Sequence, residues 1–190
     1  MKKIVVFLAN GFEEIEALSP VDYLRRAGED VVTVAVGTSN RTVESSHKVS
    51  VLADITFDSY LDSLDDLPDA VVVPGGMPGS SNIAECSKAL SFIDEMNEKQ
   101  KLVCAICAAP ALVLSKTKAL AGKKWTCYPD MEKNAPSYAG NHITTEPFIH
   151  DGNLITARGP GAAEQFAMEI VKTLSGNDVY SKIKSAAVLR

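Results

Sequence analysis

The segment KLVCAICAAPALVL, residues 101–114, requires a strand to become a helix within a few residues. Leu102, Val103, Cys104, Ala105 and Ile106 form a short apolar run suited to a buried parallel strand. Ala108, Ala109, Ala111, Leu112 and Leu114 favour a helix, and Pro110 is tolerated only in a first helical turn. Cys107 therefore falls at the junction, where a sharp turn can hold a reactive side chain above the sheet as a nucleophile elbow. The partial positive charge of a helix N-terminus would lower the pKa of a thiol placed there. The same features also suit an inert cysteine packed into a crossover, because free cysteine is among the most buried residue types.

The rest of the chain repeats this alternation. Residues 3–9 read as a buried strand, 14–27 as a helix stopped by Gly28 and containing Pro20, and 30–36 as a second strand. Pro20 implies a kink or a late helix start. A strand over 48–53 follows a polar loop or hairpin. Further on come a strand over 70–73, a helix over 88–97 and a short strand over 125–128. A hairpin over 147–157 turns at Asp151-Gly152, and an amphipathic helix over 162–174 is stopped by Gly176, with a short helix after Asp178. Such alternation predicts a doubly wound, mainly parallel α/β sheet with helices on both faces, as a single domain over residues 1–190.

Ligands of such sheets bind outside the carboxyl ends of the strands. That rule gathers residues 10–16, 74–80, 107–110 and 158–161 at one edge, and no single residue carries the argument. In Pro74-Gly75-Gly76-Met77-Pro78-Gly79, bare backbone amides can approach a ligand and form an anion nest or oxyanion hole, although a tight turn needs the same glycines. Arg158-Gly159-Pro160-Gly161 is either a helix lead-in or a site wall. The phosphate-cradling glycine patterns are absent, so nucleotide binding has no support.

Cys104 and Cys107 form a C-x-x-C, but three strand residues place them about 10 Å apart, too far for a disulfide. His47, His142 and His150 show no ligand spacing with these cysteines, so no zinc site is expected. The histidines also lie away from the C-terminal ends of the predicted strands, which leaves a carboxylate from Glu13, Glu14 and Glu16 as the proton acceptor for a thiol. Acids in a first helical turn are common for dipole reasons alone, and a helical wheel places Glu14 nearest the apolar face.

The formal charge of −5 gives no support for nucleic-acid or anionic-membrane binding. The opening MKKIVVFLAN resembles a signal peptide only until Asn10-Gly11, after which three glutamates follow, and no run is long enough to span a bilayer. Four cysteines outside any repeated framework suit a reducing, cytoplasmic setting.

Residues 10–16 (NGFEEIE), 21–28 (VDYLRRAG), 72–76 (VVPGG), 105–110 (AICAAP) and 158–161 (RGPG) resemble, in order, the motifs of the DJ-1/ThiJ/PfpI family. The resemblance covers nearly the whole chain. It implies a flavodoxin-like, three-layer fold of the class I glutamine amidotransferase type, and a homodimer. It also places the nucleophile at Cys107, the carboxylate at Glu16 rather than Glu14, and oxyanion-binding amides at Gly75, Gly76 and Ala108. Asn10, Glu14, Tyr128, Arg158, Gly159 and Pro160 become candidate site walls. Ala108 stands where the family's proteases have histidine, and Tyr128 where its ThiJ-like branch often has histidine. The implied activity is a cofactor-free, cysteine-dependent glyoxalase or deglycase acting on small α-oxoaldehydes or their adducts. The alternative is a redox-sensing or chaperone-like stress protein oxidised at Cys107.

Overall fold

A computed structural model describes residues 1–189. The first half runs β1 (Lys3–Leu8), α1 (Glu14–Arg26), β2 (Asp30–Ala35), β3 (Thr42–Glu44), β4 (Ser50–Leu52), β5 (Ile55–Thr56) and α2 (Phe57–Asp62). The second runs β6 (Ala70–Val73), α3 (Gly79–Glu85), α4 (Ser87–Glu98), β7 (Leu102–Ile106), α5 (Ala109–Leu112), β8 (Phe148–Asp151), β9 (Leu154–Ala157) and α6 (Ala163–Ala186). Seven strands form one sheet in the order β5-β2-β1-β6-β7-β9-β8, and β3 and β4 make a separate antiparallel hairpin. All neighbours in the large sheet are parallel except β8 and β9. This is the flavodoxin-like, three-layer α/β architecture expected.

Strand alternation divides the core between the two faces. Val5 and Phe7 of β1 join Phe57, Phe92, Ile93 and Met96 beneath α2 and α4. Ile4, Val6 and Leu8 point the other way, into a cluster with Ala17, Val21 and Leu24 of α1 and Phe166, Ile170 and Val171 of α6. Phe7, Phe57 and Phe92 meet with ring centroids 5.0–5.9 Å apart, a separation that favours tilted and edge-on aromatic contacts.

Several local expectations need correction. Residues 125–128 form no strand: Trp125 makes an isolated bridge to His142, while β9 occupies the edge of β7. The helix after Cys107 is only four residues long before it tightens into a 3-10 turn over Leu114–Lys116. Helix α1 starts at Glu14 and continues through Pro20, so the proline does not delay it. Gly176, at φ 84°, breaks α6 as expected of a stop, but the chain resumes helix directly after it.

After β1 the chain moves outward to β2 and β5, then crosses to β6 on the other side of β1. The crevice at this switch point is where an open α/β sheet receives ligands. The loops after β1, β6, β7 and β9 border it.

Candidate active site

Cys107 follows the last residue of β7 and has φ +64°, a left-handed conformation rare for a side-chain-bearing residue. Such a conformation costs about 1–3 kcal/mol and persists only where its surroundings enforce it. Here the Cys107 N–H donates to Ala157 O at 2.9 Å, and its carbonyl accepts from Tyr128 N–H at 2.9 Å. Ala108 and Pro110 turn the chain directly into α5. The strand-to-helix elbow expected at residues 101–114 is present, and Cys107 is half-buried rather than sealed in the core.

Glu16 is completely buried at the start of α1. Its Oε2 accepts the Gly75 N–H at 2.8 Å, while Oε1 has no hydrogen-bond partner. The carboxyl lies beside the Cys107 thiol, and each perturbs the titration of the other. A Cβ at Gly75 would come within 2.5 Å of Cys107 Cβ and 2.6 Å of Glu16 Oε2. Only glycine lets the β6 loop pass between these two side chains. Gly76, at φ +92°, turns the same loop against the backbone of residues 11–13.

Burial pushes the Glu16 carboxyl up to about 7, and the neighbouring Glu13 charge adds to that rise. Burial likewise pushes the Cys107 thiol up to about 12, and ionised Glu16 opposes the thiolate further. The amides of Ala108 and Gly76 hydrogen-bond the sulfur and pull in the opposite direction without prevailing. The lowered thiol pKa expected from the helix N-terminus is therefore overturned. A four-residue helix supplies little dipole, and burial beside an acid outweighs it.

The amides expected to hold an oxyanion separate into two groups. Gly75 N–H is already committed to Glu16, so that expectation is corrected; Gly76 and Ala108 carry the amides aimed at the sulfur. Glu14 pairs with His47 at 3.1 Å, and Asn10 accepts from the Glu44 amide at 3.1 Å beside a separate depression with Val36 and Cys86. Tyr128, Arg158, Gly159 and Pro160 line one open depression of about 500 Å³, and the Tyr128 backbone bonds to Cys107.

Glu13 had no role assigned from sequence beyond its place among the acids of the first loop. It is buried, caps α1 by accepting the Glu16 N–H at 2.8 Å, and loads the Glu16 carboxyl electrostatically. Serine, threonine, aspartate and asparagine are the usual caps, so a glutamate here gave little signal.

Glu16→Gln removes the charge that opposes Cys107 ionisation, so the thiol pKa falls; the pH profile of alkylation by iodoacetamide measures it. The same variant tests linkage. A carboxyl raised on folding contributes stability that is full below its ordinary value of 4.5 and is lost as pH rises through about 7. Urea denaturation should find Glu16→Gln more stable than wild type above that range. The gap should close as pH falls to the ordinary carboxyl value.

The description "DJ-1/PfpI family" matches residues 2–173. The chain is 38% identical over 184 residues to protein dj-1beta of Drosophila melanogaster, covering 96% of this chain and 94% of that protein. It is 28% identical to the "glutathione-independent glyoxalase DJ-1" of Schizosaccharomyces pombe, covering 96% of each. The structure of oxidized Toxoplasma gondii DJ-1 superposes with a TM-score of 0.91 at 30% identity, covering 99% of this chain and 98% of that one. The chain spans 42% and 47% of the length of the Arabidopsis thaliana DJ-1 homologues B and A, respectively. With its elbow cysteine and buried glutamate set on this fold, the chain belongs to the DJ-1/PfpI family.

Proposed function

We propose that residues 1–190 act as one domain that converts small α-oxoaldehydes, or their thiol and amine adducts, to 2-hydroxy acid products. The observation that carries this reading is Cys107 on a strained elbow beside a fully buried carboxyl poised to about 7. A general base is most effective with a pKa near the working pH, and here it contacts the nucleophile.

With methylglyoxal, the Cys107 sulfur attacks the aldehyde carbon as ionised Glu16 takes the thiol proton. The sulfur–carbon bond forms, the carbonyl π pair moves to oxygen, and the Gly76 and Ala108 amides receive the developing charge. Proton return to that oxygen gives a hemithioacetal. Glu16 then removes the proton on the former aldehyde carbon, and a proton is delivered to the neighbouring carbon through an enediol. The first carbon is thereby oxidised and the second reduced, leaving a thioester of a 2-hydroxy acid. Water cleaves the thioester, releases the acid and restores the thiol. No electron leaves the substrate, so the scheme calls for no redox cofactor. Tyr128 occupies the position where the family's ThiJ-like branch often has an imidazole, so Glu16 carries the proton traffic.

Cys107→Ser and Glu16→Ala should each reduce methylglyoxal consumption by at least about 100-fold, the lower end of a general acid–base contribution. Unchanged consumption in either variant defeats the reading. The glyoxalase name of the S. pombe relative supports the choice of substrate class.

A second reading is redox sensing for stress protection, favoured by the incomplete burial of Cys107 and by the oxidized state of the T. gondii relative. Peroxide would convert the Cys107 thiolate to sulfenic and then sulfinic acid, reducing two peroxide molecules to water. Intact mass after mild peroxide should show two added oxygens that Cys107→Ser abolishes. Oxidation spread over Cys86 and Cys127 would count against selectivity.

We also propose a cytoplasmic homodimer. Among the described residues, no helix is long and apolar enough to cross a membrane. Ile15 and Leu18 on α1, with Val49 and Leu52 at the adjoining β3–β4 hairpin, are large apolar side chains left exposed. Sedimentation should give twice the chain mass, and Ile15→Glu with Leu52→Glu should shift it toward the monomer.

A further inference from the structure

The loop from Trp125 to Ile143 gathers a second set of reactive side chains away from the Cys107–Glu16 pair. A 3-10 turn over Met131–Asn134 folds Glu132 back towards Cys127, and another over Pro136–Asn141 delivers His142. One ligand atom from each of Cys127, Glu132 and His142 lies within 4.8 Å of the other two. We propose that these three residues bind one divalent metal ion of the zinc class, with a fourth position open to water.

The geometry supports this beyond simple proximity. Cys127 Sγ and His142 Nε2 are 3.6 Å apart. Zinc–sulfur and zinc–nitrogen bonds of about 2.3 and 2.0 Å, at a tetrahedral angle, separate the two ligands by about 3.5 Å. Glu132 Oε2 is buried without a hydrogen-bond partner, a costly state for a carboxylate that a cation would relieve. The imidazole is held by Trp125, whose ring lies 4.7 Å from it and whose backbone brackets it through bonds to residues 141 and 143.

A thiol–imidazole hydrogen bond alone would explain the 3.6 Å contact but would leave Glu132 Oε2 unsatisfied. The mixed sulfur, nitrogen and oxygen donor set suits zinc better than calcium or magnesium, which take oxygen ligands. A thiolate and a carboxylate together neutralise a divalent ion. Spacing along the chain hides this cluster, because His142 pairs with Cys127 and neither Cys104 nor Cys107 takes part. Ligation would also pin the loop that carries Tyr128, whose amide bonds to Cys107.

Cobalt titration of the metal-free full chain, in a Cys107→Ser background, tests the site. One equivalent should saturate, giving sulfur-to-cobalt charge-transfer absorption and tetrahedral visible bands, both reversed by zinc. Cys127→Ser should abolish the charge-transfer absorption. Glu132→Gln and His142→Gln, changes at half-buried positions, should each weaken binding by at least about tenfold. Absence of saturable binding, charge-transfer absorption that survives Cys127→Ser, or undiminished affinity in both other variants would overturn the proposal.

Discussion

The close passage of Gly75 between Cys107 and Glu16 is the constraint around which the site is built. Its origin is sheet register. Val73 of β6 pairs with Ala105 of β7, so Gly75 and Cys107 each stand two residues beyond a matched pair. Neighbouring strands lie about 4.8 Å apart, which leaves no room for two side chains and a buried carboxyl at that level. The same bookkeeping across β7 and β9 pairs Ile106 with Ala157, putting Arg158 level with Cys107. Parallel register thus aligns the elbow, the glycine loop and Arg158, and the Gly75 N–H fixes the Glu16 carboxyl.

Two electrostatic effects compete at the sulfur. Backbone amides of Gly76 and Ala108 favour a thiolate, whereas burial and ionised Glu16 favour a thiol. Burial is the largest influence on both members of the pair and raises each of them. Glu13 contributes from outside the reacting pair: as the cap of α1 it orients Glu16 through the backbone and raises its pKa through charge.

The parallel core was legible because β1, β6 and β7 are nearly uninterrupted apolar runs, and strands buried on both faces show that pattern. Cys107 was legible for a different reason: Pro110 and the alanines force a helix immediately after a strand. Glu16 was not legible from periodicity. An ideal wheel treats the apolar face as the buried face, but Ile15 is exposed and Glu16 is sealed against the sheet edge. The wheel selected Glu14, which pairs with His47 instead. Strand β5 and helix α2 were missed because their burial comes from long-range packing of Phe57 against Phe7 and Phe92. The sign of the thiol shift was missed because sequence reveals a helix N-terminus but neither the helix length nor the adjoining buried acid.

The failed strand at residues 125–128 exposes the division of labour in this fold. A strand here would need an edge to pair with, yet β9 already satisfies the edge of β7. Trp125 instead anchors a long surface loop: it is fully buried, its indole N–H donates to Tyr138 O at 3.0 Å, and its backbone bonds to both sides of His142. That anchoring lets the following residues differ without disturbing the sheet. Tyr128 is tied to Cys107 through its backbone amide, a bond that does not depend on the side chain at this position. Sheet register holds Gly75 and Cys107 in place, whereas Tyr128 sits on the surface loop that Trp125 anchors.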